Sequence, residues 1–96
     1  MLGWPWLKLY RVEGESMAPT FMPGHLLLGS GLVKPKVGHV VVIRRQPKSI
    51  KRIRDMTEEG IWVEGDNTHV STDSRRYGHV HAGDIEAVVF MKMFQN

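Results

Sequence analysis

The sequence contains no cysteine. That excludes a disulfide framework, a thiolate zinc site and a cysteine nucleophile. Long apolar runs are missing too. The longest, Val40–Ile43 and Ala87–Phe90, are far short of the ~20 residues that span a bilayer. No transmembrane helix is therefore expected. The apolar start, Met1–Leu7, is too short for a signal-peptide core, and no basic stretch precedes it. Helical amphipathic periodicity is absent. Charge of one sign is scarce as well: 13 Lys+Arg against 10 Asp+Glu leave +3. Such a balance permits a nucleic-acid or anionic-membrane partner and requires neither. At 96 residues the chain is expected to form one domain, 1–96, around a single small core.

What is present reads as short β segments between turn residues. Leu7–Val12 alternates apolar with mostly polar residues and predicts a first strand. Pro23-Gly24 marks a turn, and Leu26–Leu28 a second strand. Lys34–Gly38 reads as a loop. Val40–Ile43 is apolar on both faces, as a central strand covered on both sides would be. Ser49–Met56 and Ile61–Glu64 flank the polar turn Thr57–Gly60. Asp66–Gly78 is polar and turn-rich, and Ile85–Phe90 is expected to close the sheet. The fold class is thus mostly β, a compact antiparallel domain.

Three stretches can carry chemistry. In Gly14–Thr20, Pro19 pushes Ala18 away from helical geometry, so the segment is an ordered turn displaying the Ser16 hydroxyl. A plain loop serine has the same local features. In Ser49–Arg54, strand alternation puts Lys51 on the face of Ile53 and Arg52 on the other, toward solvent. Burial lowers a lysine's pKa, and a neutral lysine can serve as a general base. On spacing alone, an ordinary edge-strand lysine is the simpler reading. In Gly65–Gly78, Asp73 and Arg75 can pair and stiffen a loop, and Ser71 can offer its hydroxyl to an amine. A surface loop with Asx turns has this composition too.

Together, in this order, the three stretches resemble signal peptidase I and its relatives, serine endopeptidases with a Ser/Lys dyad. Ser16-Met17-Ala18-Pro19-Thr20 matches the family's first motif, Ser-Met-x-Pro-Thr. Lys51-Arg52-Ile53 matches the lysine motif. Gly65-Asp66-Asn67 and Ser71-Thr72-Asp73-Ser74-Arg75-Arg76-Tyr77-Gly78 match the last. Departures exist. Gly24-His25 and Gly38-His39 stand where the family has Gly-Asp, and no Gly-x-Pro-Gly-Asp stretch follows the lysine. Gly14 stands where some members place an oxyanion-hole hydroxyl.

The resemblance implies the fold of the signal peptidases and of the SOS-repressor C-terminal domains, with a catalytic core over about residues 8–90. It implies Ser16 as nucleophile and Lys51 as general base. Ser71 would orient the lysine, and Asp73 with Arg75 would hold the loop. Gly14, Ser16 and Met17 would bind the oxyanion and substrate through backbone groups. No metal or cofactor is implied. The substrate would lie extended beside the first motif and the lysine strand, with small residues before the scissile bond. The lead-in Arg11–Met17 and the run Trp62–Asn67 are most similar to the maturation peptidases of nickel-type superoxide dismutase. The implied partner is then that precursor protein, which would lose a short N-terminal extension. The expected location is cytoplasmic, or peripheral on a membrane through Trp4 and Trp6. A soluble enzyme processing signal peptides is the alternative.

Two readings come from other classes. Arg44–Arg54 is basic enough for a nucleic-acid-binding hairpin, although no nucleic-acid partner is expected, because such hairpins are usually solvated surface. His79 and His81 share a strand face and could meet a metal-loaded partner, yet no carboxylate or cysteine completes a ligand spacing.

Overall fold

β-Branched and apolar residues at alternate positions build six strands. A computed structural model describes residues 6–93. The strands are β1 (Leu7–Arg11), β2 (Leu26–Ser30), β3 (Val40–Ile43), β4 (Ser49–Thr57), β5 (Gly60–Glu64) and β6 (Ile85–Lys92). One helical turn, α1 (Ser74–Tyr77), lies between β5 and β6. The strands form a single antiparallel sheet in the order β1-β2-β6-β3-β4-β5. The mostly β, antiparallel class is as expected.

All four residues of β3 are buried, as the absence of polar positions in that run requires. Val41 packs with Ile43, Ile53, Ile61, Val63, Val80 and Val88 in one core cluster. Tyr77 and Ile85 cover its margin. Val42, paired with Ala87, points to the other face, toward a cavity that Val12 and Met17 also line.

Two expectations are corrected. β6 does not close the sheet at an edge. It is inserted between β2 and β3, where its apolar run Ala87-Val88-Val89 is covered on both sides. The polar stretch Asp66–Gly78 is not all loop, since α1 ends it. Asp73 caps that turn by accepting from the Arg75 N–H. Ser74, buried at its start, accepts from the Val63 N–H at 2.8 Å and so docks the turn on β5.

Candidate active site

Lys51 enters the interior because β4 alternates and its inward face is otherwise apolar. It sits opposite Val41 in the β3–β4 register, two residues before Ile53. Its residue is only 4% exposed. Burial holds its pKa below the ordinary lysine value, against the pull of the Asp73 charge and with a push from Arg75. Among the described residues its amine has one hydrogen-bond partner: Nζ donates to Ser71 Oγ at 3.1 Å.

Ser71 is itself fixed. Its Oγ donates to Asp73 Oδ2 at 2.6 Å and accepts from the Gly65 N–H at 3.1 Å. Asp73 is fully buried, and burial alone would raise its pKa. The Arg75 guanidinium, the Ser71 hydroxyl and the Gly65 N–H outweigh that and hold its carboxyl far below the usual carboxylate range. Arg75 grips it bidentately, Nε to Oδ1 at 2.9 Å and Nη2 to Oδ2 at 2.8 Å. A chain of contacts thus runs from Arg75 through Asp73 and Ser71 to the lysine nitrogen.

The serine loop is clamped to the same segment. The Asn67 N–H donates to the Ser16 carbonyl at 2.8 Å, and Asn67 Nδ2 donates to the Glu15 carbonyl at 3.0 Å. Met17, 1% exposed, anchors the loop from below, and its sulfur accepts from the Asp66 N–H at 3.4 Å. Gly65 stands where the clamp and the lysine support meet. A Cβ there would lie 2.3 Å from Ser71 Oγ and 2.6 Å from the Ser16 carbonyl oxygen, so only glycine fits. Sequence reasoning passed over Gly65 and Asn67, though both stand in a motif it had singled out.

Arg52 does not point freely to solvent, which corrects the alternation argument. Its side chain is 25% exposed and grips Asp66 through Nε and Nη2 at 2.9 and 2.8 Å. Its third donor, Nη1, reaches the Gly38 carbonyl at 2.9 Å. That guanidinium, against some cost of burial and with help from Thr20, keeps the Asp66 carboxyl below its ordinary pKa. The residue after the lysine therefore ties β4 to the turn that carries the Asn67 clamp.

Ser16 and Lys51 line one cleft of about 440 Å³. A second cavity of about 510 Å³ adjoins it on the other side of Ser16, with Val12, Met17, Val42 and Ile50 on its walls. No hydrogen bond joins Ser16 Oγ to Lys51 Nζ, whose bond goes to Ser71. Among the described residues the backbone N–H groups of Gly14, Ser16 and Met17 donate to no protein acceptor. Gly14 takes a positive φ of 71°, a conformation that suits glycine at the lip of the cleft.

The remaining singled-out residues lie elsewhere. Met22 N–H donates to His25 Nδ1 at 3.0 Å, and Lys36 N–H to His39 Nδ1 at 3.1 Å. In both Gly-His turns the imidazole thus accepts from the residue three before it. His79 packs edge-on against Trp62 at 5.0 Å between ring centroids, and the His81 N–H donates to Asp84. Among the described residues no three side chains cluster in a metal-ligating arrangement. The cations of the Arg44–Arg54 run are mostly spoken for: Arg44 and Lys48 face Glu86, and Arg52 and Arg54 face Asp66. Trp4 lies outside the described residues, and Trp6 is exposed. No helix among the described residues is long and apolar enough to cross a membrane.

Comparison with known proteins agrees with the fold. Over 54 residues, 55% of this chain, the sequence is 35% identical to mitochondrial inner membrane protease subunit 1 of Mus musculus. That stretch is 32% of the mouse protein, so the chain spans about a third of that relative's length. The family match is far more extensive and takes in the serine loop, the buried lysine and the clamp that joins them. Matched over residues 6–90, from the start of the sheet into its inserted last strand, the chain belongs to the Peptidase S24-like family.

Proposed function

We propose that the protein is a serine endopeptidase in which Ser16 is the nucleophile and Lys51 its general base. The observation that carries this reading is Lys51 itself. It is a buried lysine with no ion pair among the described residues, held by Ser71 and opening on the cleft that contains Ser16. Burial favours the neutral amine, which can accept a proton. Because Ser71 Oγ gives its own proton to Asp73, it acts on the lysine only as an acceptor. That leaves the lone pair of a neutral Lys51 free to face Ser16.

The steps follow from these parts. Ser16 Oγ attacks a substrate carbonyl while its proton passes to Lys51 Nζ. The N–H groups of Gly14, Ser16 and Met17 supply the donors for the tetrahedral oxyanion. Protonated Lys51 returns its proton to the leaving amine. A water molecule, deprotonated by the same lysine, then releases the acyl group. Residues of this chain suffice for every step.

The groove runs past Ser16 between Val12–Gly14 on one side and Pro47–Ile50 on the other. An extended peptide can lie there as an added strand. The apolar cavity over Val12, Met17, Val42 and Ile50 would take a small apolar side chain next to the scissile bond. For the substrate we propose the precursor of a nickel-type superoxide dismutase, supported by the likeness of Arg11–Met17 and Trp62–Asn67 to its maturation peptidases. The mouse relative is named a mitochondrial inner membrane protease, which supports proteolysis and does not bear on that substrate. Incubating the protein with the precursor, followed by mass spectrometry, tests both levels. Removal of a short N-terminal extension by the wild type and not by Ser16→Ala is the expected result. An intact precursor, with other peptides still cleaved, would reject the substrate and keep the peptidase.

A further inference from the structure

Strand β6 departs from regular pairing beside β3. Val42 pairs with Ala87 and Ile43 with Ile85, so Glu86 stands opposite no residue of β3. Regular alternation from Val88, a core residue, would send Glu86 into the core and Ile85 to the other face. The extra residue reverses this. Ile85 packs on the margin of the core, and the Glu86 carboxylate meets Tyr10 and Lys48, which line the cavity beside Ser16. Bulges that re-aim a side chain in this way are concentrated next to active sites.

The two donors stand on opposite walls of the groove. Tyr10 belongs to β1, two residues before Val12 on the first wall. Lys48 belongs to the segment between β3 and β4, on the second wall with Pro47 and Ile50. Both donate to one atom: the Tyr10 hydroxyl to Glu86 Oε2, and Lys48 Nζ to the same oxygen at 3.0 Å. Lys48 Nζ also stands 5.9 Å from the centroid of the Tyr10 ring. Arg44, from the same segment as Lys48, approaches Glu86 Oε1 at 3.8 Å and donates through Nη1 to the Gly83 carbonyl at 2.8 Å. The Glu86 side chain is only 7% exposed. Burial alone would raise its pKa, but the Tyr10 hydroxyl and Lys48 outweigh that and hold the carboxyl below its ordinary value. Burial and the same carboxylate push the Tyr10 phenol well above its ordinary range, so it stays a donor. One buried carboxylate therefore links the two walls without itself lining the groove.

We propose that Glu86 is a positioning residue for substrate binding, which fixes the spacing of the groove walls by holding Tyr10 and Lys48 on one carboxylate. This rests on reading the groove as the peptide site of a peptidase. Ser16 and Lys51 have their own supports in Asn67 and Ser71. Loss of the tie therefore weakens peptide binding and leaves the chemistry of the proposed dyad in place.

The chain has no cysteine, so nitroxide labels can be attached at Glu13→Cys and Gln46→Cys, one on each wall. The distance between the labels, read by pulsed electron spin resonance, reports the groove width whether or not the protein cleaves anything. One narrow distribution is expected without further substitution. Glu86→Ala should broaden it and move it to longer distance. Glu86→Gln keeps an acceptor for the Tyr10 hydroxyl and loses the charge facing Lys48, so it should fall between the two. If Glu86→Ala does not fold, Glu86→Gln takes its place in every comparison. Kinetics use the unlabelled protein and the peptide that the wild type cleaves fastest in a library of proteome-derived peptides. Glu86→Ala should raise KM about tenfold and change kcat less than about threefold. Tyr10→Phe should also raise KM, yet add little in the Glu86→Ala background, because both act through one contact. Unchanged label distances, a loss confined to kcat, or effects of Tyr10→Phe and Glu86→Ala that multiply would overturn the tie. Cleavage with KM unmoved rejects the positioning role and keeps the peptidase. If the wild type cleaves no peptide, the peptidase reading fails, and the label distances alone decide whether Glu86 holds the walls.

Discussion

The Asn67 N–H donates to the Ser16 carbonyl at 2.8 Å, joining the loop after β1 to the turn after β5. That bond, with the side-chain bond to the Glu15 carbonyl, sets where the Ser16 hydroxyl stands relative to Lys51. Asn67→Ala removes the side-chain bond and keeps the backbone one. The expected loss of stability is about 0.5–1.5 kcal/mol. Turnover should fall more than that implies, because the nucleophile loses part of its orientation while the substrate groove keeps its walls. Steady-state kinetics would show kcat reduced with KM nearly unchanged. An unaltered kcat would mean the backbone bond alone positions the serine.

Gly65→Ala places a methyl group 2.3 Å from Ser71 Oγ. The backbone cannot yield without breaking the contacts to Ser16 and Ser71, so overpacking should cost about 2 kcal/mol or more. Thermal unfolding should show a drop in Tm, and any residual folded protein should cleave poorly. A variant with wild-type stability and activity would show that the Gly65 turn relaxes freely.

Lys51→Met separates function from stability. It removes the proposed base, for which a loss of about 10²–10⁴-fold in kcat is typical, and Lys51→Arg should not rescue it. It also removes a buried amine. Because burial lowers the folded pKa below 10.5, the unfolded chain binds more protons between the two values. Wild-type stability therefore rises with pH through that window and is lowest beneath it. Lys51→Met should raise Tm at neutral pH, and its advantage should shrink as pH approaches 10.5. A variant less stable than wild type at neutral pH would contradict this.

The same sign governs activity. In the proposed dyad only the neutral amine can take the Ser16 proton, so kcat/KM should climb about tenfold per pH unit at first. It should then level off below 10.5, at the lowered pKa of Lys51. A profile still climbing at that pH would mean the amine is not desolvated.

Much of this was legible in the residues. Alternation and turn residues placed every strand within a few positions, and the Lys51–Ile53 spacing put the lysine on an apolar face without separating it from an ordinary edge-strand lysine. Arg52 was misread because alternation says only which face a side chain takes. Its partner Asp66 comes from beyond β5, and only the β4–β5 register, which pairs Arg52 with Glu64, brings it near. The position of β6 was not legible either, since an apolar strand fits the middle of a sheet from either end of the chain. α1 was missed because four residues are too few to show a helical period, although Asp73 ahead of Ser74 is a capping signal.

Asp73→Asn keeps the shape of the side chain and removes its charge. The Gly65 N–H, the Ser71 hydroxyl and Arg75 then face a group with half the acceptors. Leaving one buried donor unmet costs about 1–3 kcal/mol. The depressed pKa of Asp73 means its ionised form stabilises the fold at every pH above the ordinary carboxylate range. That contribution declines as pH falls through and below this range. The variant and the wild type should therefore converge in Tm under acid and diverge above pH 5. Parallel curves would show that the Asp73 charge does not carry the effect.

The place of β6 in the sheet has a consequence for how the protein is assembled. Within the sheet, the β1–β2 pair, which leads into the serine loop, is joined to β3–β4–β5, which carries the lysine, through β6. That strand is the last of the six to be synthesised. Until Ile85–Lys92 is in place, the proposed nucleophile and base stand on two parts of the sheet tied through the contacts of the serine loop with Asp66 and Asn67. The last of the six strands to be made is thus the one that joins, edge to edge, the two halves on which the proposed dyad stands.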